Sequence, residues 1–167
     1  MPLLKLSTRL RFLLGFLGCA GSMAFALYLE YFRHLDPCAL CVLQRLAMIA
    51  AGIVFLFGAL HGPKSWGRYV YGLSAFKAAG VGAVIAARHI WLQSLPPDQV
   101  PVCGPPLEHL MKVMPWKDAL AFVLKGEGNC AVINGIFLGI TLPGWTLITF
   151  VLFAGWAVFC MLKPAEI

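Results

Sequence analysis

Residues 12–29 read FLLGFLGCAGSMAFALYL, an uncharged run from Phe12 to Leu29. Its length comes close to the roughly 20 residues that an α-helix needs to cross a hydrocarbon core about 30 Å thick. Three further blocks match it: Val42–Leu60, uncharged apart from Arg45; Val70–Ala87, interrupted by Lys77; and Leu142–Leu162. Backbone groups find no water inside a bilayer, so a spanning segment must be a helix or part of a closed barrel, and no barrel-like alternation is present. The pattern predicts an all-α membrane protein, a four-transmembrane-helix bundle with spans at 12–29, 42–60, 70–87 and 142–162, forming one membrane domain over 1–167.

Composition agrees with this reading. Of the 167 residues, 60% are hydrophobic and 12% charged, with mean hydropathy +0.84, against about 45–50% and about 25% in ordinary soluble domains. That balance excludes an ordinary soluble enzyme and, equally, a disordered chain. The net charge of +6 comes from 13 Lys and Arg scattered between apolar blocks, which reads as membrane orientation and gives no nucleic-acid footprint. Lys5, Arg9 and Arg11 precede the first block, Lys64 and Arg68 separate the second and third, and Lys163 follows the fourth. Glu30, Asp36, Asp98, Glu108, Asp118 and Glu127 fall in the other two connections. Both termini are therefore expected in the cytoplasm, with loops at 30–41 and 88–141 facing outward. A cleaved secretory signal competes for the first block, with Ala24-Phe25-Ala26 as its cleavage-like site. The apolar run continues through Leu29, however, which suits an uncleaved anchor better.

Six cysteines then bear on function. Cys19 and Cys160 fall inside predicted spans, where a thiol behaves as a small apolar residue. Cys38 and Cys41 form a C-x-x-C in the first outer loop, and Cys103 and Cys130 lie in the second, so all four face the compartment where disulfides persist. In the stretch PCALCVLQR, residues 37–45, Pro37 suits the start of a helix, which puts Cys38 and Cys41 on its first turn. Unpaired N–H groups and the helix dipole there favour a reactive thiolate. Arg45 lies four residues after Cys41, on the same face and one turn deeper. An arginine there needs an anionic or carbonyl partner unless it snorkels to the interface.

The long second loop is broken by Pro96, Pro97, Pro101, Pro105, Pro106 and Pro115, with Gly104 beside Cys103. Between the breaks Leu107, Leu110, Met111 and Met114 repeat at helical spacing, and Ala119–Leu124 ends at Gly126. Two short amphipathic helices are expected, either on the bilayer surface or packed on the bundle.

The order of four spans, Cys-x-x-Cys-x-x-x-Arg at the head of the second, a Cys pair in the long loop, and Phe137-Leu138-Gly139 with Pro143 and Trp145 entering the fourth span resemble the bacterial disulfide bond formation protein B family, DsbB. The resemblance implies a quinone-dependent thiol oxidoreductase of the bacterial inner membrane. Its partner would be a periplasmic DsbA-like thioredoxin-fold oxidase, reoxidised by a Cys103–Cys130 disulfide. Cys103 would form the mixed disulfide, Cys130 would attack a Cys38–Cys41 bridge, and Cys41 would become the thiolate nearest a ubiquinone or menaquinone ring. Arg45 would polarise a quinone carbonyl, and His89, at the outer end of the third span, matches a position near the quinone; beside Arg88 and Trp91, it also reads as an ordinary interfacial histidine. DsbA-type oxidants have an established potential near about −120 mV, so an ordinary protein disulfide would run backwards against one and a downstream oxidant must pull the electrons.

Two positions depart from well-known members: Gln44 stands where an acid is expected, and Gly135 where a tryptophan is. Lys77 aligns with a basic family position, as a partner inside the bundle or a cation beside the quinone. No metal is expected. The rival from another class is a non-enzymatic zinc site of Cys38, Cys41, Cys103 and Cys130, which gives Arg45 no role. A transporter with stapling cysteines shares that defect, and proteins resembling vitamin K epoxide reductase carry their Cys-x-x-Cys late in the bundle.

Overall fold

The computed structural model describes residues 7–34, 37–96, 98–99, 112–125, 128–131, 133 and 135–162. Cys103 and the expected helical repeat at Leu107, Leu110 and Met111 lie outside these residues. Four long helices are present: α1 (Thr8–Arg33), α2 (Ala39–His61), α3 (Trp66–Gln93) and, last in the chain, α6 (Leu142–Leu162). Each is long and apolar enough to cross a membrane. Between α3 and α6 lie α4 (Trp116–Lys125), the short α5 (Gly128–Ala131), and a hairpin of β1 (Ile136–Phe137) and β2 (Ile140–Thr141).

Every expected span is found, and the first three extend beyond their apolar runs. The reason is local hydrogen bonding at the ends. Ser7 caps α1 by accepting from Leu10 N at 3.3 Å, and α1 continues to His34, which takes the left-handed conformation with φ 50°. At the far end of α2, Gly62 closes the helix with φ 61°. Glu30 and His89, placed at loop edges by hydropathy, are thereby helical residues.

Packing runs in sequence: α1 against α2, α2 against α3, α3 against α6, with α6 closing on α1 more sparingly. The contacts are made by small residues facing rings. Phe55 of α2 lies over Gly15 of α1, where a Cβ would come within 2.7 Å of the ring, and Phe12 of α1 lies over Gly58 of α2, within 2.6 Å. Phe150 of α6 fills the space beside Gly82 of α3 in the same way. Cys19 and Cys160 are buried in this core with Phe12, Phe55 and Phe150, as small apolar groups. On α3 the buried line runs through Gly72, Ala75, Ala79, Gly82, Ala86 and His89. Lys77 is off that line and exposed, so it is not a partner inside the bundle.

A second, smaller core sits at the loop end, where Leu40 of α2, Ile85 and Leu92 of α3, Val123 of α4 and Cys130 of α5 meet. The expected helix at Ala119–Leu124 is the middle of α4, which begins after Pro115. It turns Val123 onto the bundle while Trp116 stays 65% exposed. The hairpin pairs Ile136 with Thr141 and Phe137 with Ile140. Its two turn residues, Leu138 and Gly139, both have positive φ, as a two-residue primed turn requires. Trp145 Nε1 donates to Phe137 O at 2.9 Å, tying this hairpin to the first turns of α6.

Candidate active site

Cys38 stands one position earlier than expected. It is the N-cap of α2, in extended conformation, and its sulfur accepts from Cys41 N at 3.4 Å. A side-chain acceptor at this position satisfies one of the orphan donors of the first turn. The cap also brings the pair together: the Cys38 thiol approaches Cys41 Sγ at 3.1 Å, about 1 Å more than a disulfide bond.

Arg45 follows on the same helix, half-buried, and its guanidinium pairs with the Glu30 carboxylate of α1 while donating to Ala26 O at 3.5 Å. The sequence called for an anionic or carbonyl partner, and α1 supplies both. Glu30 was not among the expected site residues, because hydropathy alone puts it in the first loop. The available signal was its place as the first charge after the apolar run that directly precedes α2.

His89 is 3% exposed and faces three residues on two elements, α2 and α5. Its Nε2 lies 3.7 Å from Cys38 Sγ and 3.0 Å from Cys130 O, and its Nδ1 lies 3.2 Å from Gln44 Nε2. Cys130 is itself buried, in the small core against which Cys38 packs. The structure therefore gathers Cys38, Cys41, Arg45, His89 and Cys130 at one end of the bundle, with Cys103 outside the described residues.

A cavity of about 460 Å³ opens beside the dithiol, within the usual size range of small-molecule sites. Cys41, Arg45, Gln44 and His89 form its polar wall, and Met23 and Leu142 are among its apolar lining. Gly135 is also part of the wall, where a Cβ would meet the Leu142 side chain at 3.3 Å. The amide oxygen of Gln93, at the cavity edge, is buried and has no hydrogen-bond partner among the described residues.

Donor atoms of Cys38, Cys41 and His89 lie within 4.8 Å of one another, a set that zinc accepts. The nitrogen facing the sulfurs is the one against Cys130 O, however. A carbonyl only accepts, so that nitrogen carries a hydrogen and offers no lone pair.

A family model described as "Disulfide bond formation protein DsbB" matches residues 8–160. The chain belongs to the DsbB family. It is 47% identical to a disulfide bond formation protein B of Marinobacter nauticus over 158 residues, covering 95% of this chain and 94% of that one. It is 46% identical to the protein of the same description from Hahella chejuensis over 160 residues, 95% and 97% of the two chains. With its counterpart in Nitrosococcus oceani it shares 49% identity over 152 residues, 91% and 89%. As a DsbB-family chain with four helices able to cross a membrane, it is a multi-pass membrane protein of disulfide bond formation. DsbB membership also sets aside the non-enzymatic zinc protein.

Proposed function

We propose that this protein reoxidises a periplasmic DsbA-like thioredoxin-fold oxidase and passes the electrons to a membrane quinone, ubiquinone or menaquinone, from a bacterial inner membrane with both termini cytoplasmic. The observation that carries the reading is the meeting of three things at one end of the bundle: Cys130, the Cys38–Cys41 pair, and a cavity walled by Cys41 and Arg45.

The thiol chemistry balances step by step. A thiolate of the reduced partner attacks the Cys103–Cys130 disulfide at Cys103, and Cys130 leaves as thiolate. Cys130 then bonds to Cys38, breaking Cys38–Cys41 and freeing Cys41 as thiolate. The partner's second thiol closes the partner's own disulfide and frees Cys103. Cys103 re-forms its bond with Cys130, which leaves Cys38 and Cys41 both reduced. Each exchange makes one S–S bond and breaks one.

The cavity residues suit a quinone head group. Arg45, its charge balanced by Glu30, would hold a ring carbonyl by a charge-assisted hydrogen bond. The apolar lining favours a lipid-soluble ring, and the Gln93 oxygen, without a hydrogen-bond partner among the described residues, would accept from a hydroxyl of the reduced ring. The quinone supplies a two-electron, two-proton acceptor; the chain's part is to close Cys38–Cys41 again and to keep water from the thiolate of Cys41. The test is quinone reduction by purified protein given reduced DsbA-type partner, followed by absorbance. Turnover is expected in the wild type and its loss in Cys41→Ser and in Cys103→Ser. An inactive wild type, with quinone and partner intact, would overturn the reading.

A further inference from the structure

We infer that Gln44 is a positioning residue for the exchange between the two cysteine pairs, fixing the His89 tautomer that holds the Cys130 backbone beside Cys38. The inference rests on the reading in which Cys130 attacks the Cys38–Cys41 bond. The Cys130 carbonyl, 3.0 Å from His89 Nε2, can only accept, so Nε2 carries the hydrogen. In a neutral imidazole Nδ1 is then an acceptor and needs a donor. Gln44 Nε2 lies 3.2 Å from it, and both side chains are buried, at 5% and 3% exposure.

Cys38 Sγ is 3.7 Å from the same Nε2. One ring therefore touches both the sulfur to be attacked and the backbone of the attacking residue, while its other nitrogen is locked to α2. Among the described residues the thiols of Cys38 and Cys130 bear on the ring, the Cys41 sulfur lies within 4.8 Å of it, and Arg45 is turned to Glu30. In the step served, a bond forms between the Cys130 and Cys38 sulfurs, the Cys38–Cys41 bond breaks, and negative charge passes from Cys130 to Cys41. No proton moves, so the ring acts as a clamp and not as a base. An amide at 44 serves this by donating without adding charge. A carboxylate there would only accept, and would demand a second hydrogen on the ring.

The test uses the full-length protein in nanodiscs with ¹⁵N-labelled histidine, the His89 signals assigned through His89→Asn. The wild type is expected to give a neutral ring with the hydrogen on Nε2. Gln44→Leu should yield mixed tautomers and slow exchange from the loop pair to Cys38–Cys41 about tenfold, in a quinone-free single turnover trapped for mass spectrometry. Gln44→Glu should give a doubly protonated ring, and decides the matter should the leucine variant fail to fold. A wild-type ring protonated on Nδ1 or on both nitrogens overturns the inference, as does an unchanged tautomer and rate in Gln44→Leu or a neutral ring in Gln44→Glu. The underlying reading fails separately: it falls if Cys38→Ser and Cys130→Ser leave exchange intact.

Discussion

Replacing Glu30 by glutamine removes the anion from the arginine at the head of α2 while keeping the side chain's shape. Arg45 and Glu30 are 22% and 25% exposed, so the pair falls between two measured regimes. Exposed pairs are worth about 0.2–1 kcal/mol, and losing one partner of a buried pair costs about 3–5 kcal/mol. With roughly three-quarters of each side chain covered, a coupling of about 2 kcal/mol is expected. In Glu30→Gln the guanidinium keeps the Ala26 carbonyl at 3.5 Å, too long to replace a carboxylate. Glu30→Gln and Arg45→Met should each destabilise the protein by about 2 kcal/mol, and the double variant should lose about 2 kcal/mol less than their sum. Reversible unfolding in detergent, followed by circular dichroism, measures all three. A freer guanidinium should also raise the quinone KM of Glu30→Gln about tenfold, equivalent to about 1.4 kcal/mol, with a smaller change in kcat. Effects that add within about 0.5 kcal/mol would refute the claim that Glu30 neutralises Arg45.

Gly15→Ala and Gly58→Ala should each cost about 1–3 kcal/mol in the same unfolding assay, because a Cβ would meet the Phe55 and Phe12 rings at 2.7 and 2.6 Å. Gly21→Ala and Gly155→Ala, with nothing within 4 Å, should be neutral or stabilising; a similar loss at all four positions would argue against the ring-over-glycine packing. Phe55→Ala, at a fully buried ring, should lose about 3–5 kcal/mol, and a loss under about 1 kcal/mol would contradict its place in the core. Trp145→Phe removes the donor to Phe137 O and should cost about 0.5–1.5 kcal/mol, read as faster amide exchange confined to residues 136–141; unchanged exchange there would mean that the hairpin is held by other contacts.

The four spans were legible because each apolar run approaches the thickness of a bilayer, and Cys38, Cys41 and Arg45 because they share one helix, whose periodicity fixes their relative positions. Glu30 was missed for a physical reason. The first apolar run ends at Leu29, just before Glu30, whereas backbone hydrogen bonds carry α1 on to Arg33, and a pair between α1 and α2 depends on their register, which no local pattern encodes. The approach of Cys130 to Cys38 is non-local in the same way, since it is set by Val123 and Cys130 packing onto Leu40, Ile85 and Leu92. The contact between Gln44 and His89 has a different status. On the buried face of α2, running through Leu40, Gln44, Ala47, Ala51 and Phe55, Gln44 is the one polar member among the described residues, and His89 is the one polar member on the buried face of α3. Leaving a polar group unpaired in an apolar interior costs about 1–3 kcal/mol. Two such groups, one at the loop end of each of two packed helices, must therefore find each other or a ligand. Periodicity could have called for that pairing without any family resemblance, and the resemblance pointed instead to a quinone. The structure allows both, since His89 and Gln44 satisfy one another through one edge of the ring while forming part of the cavity wall beside Cys41.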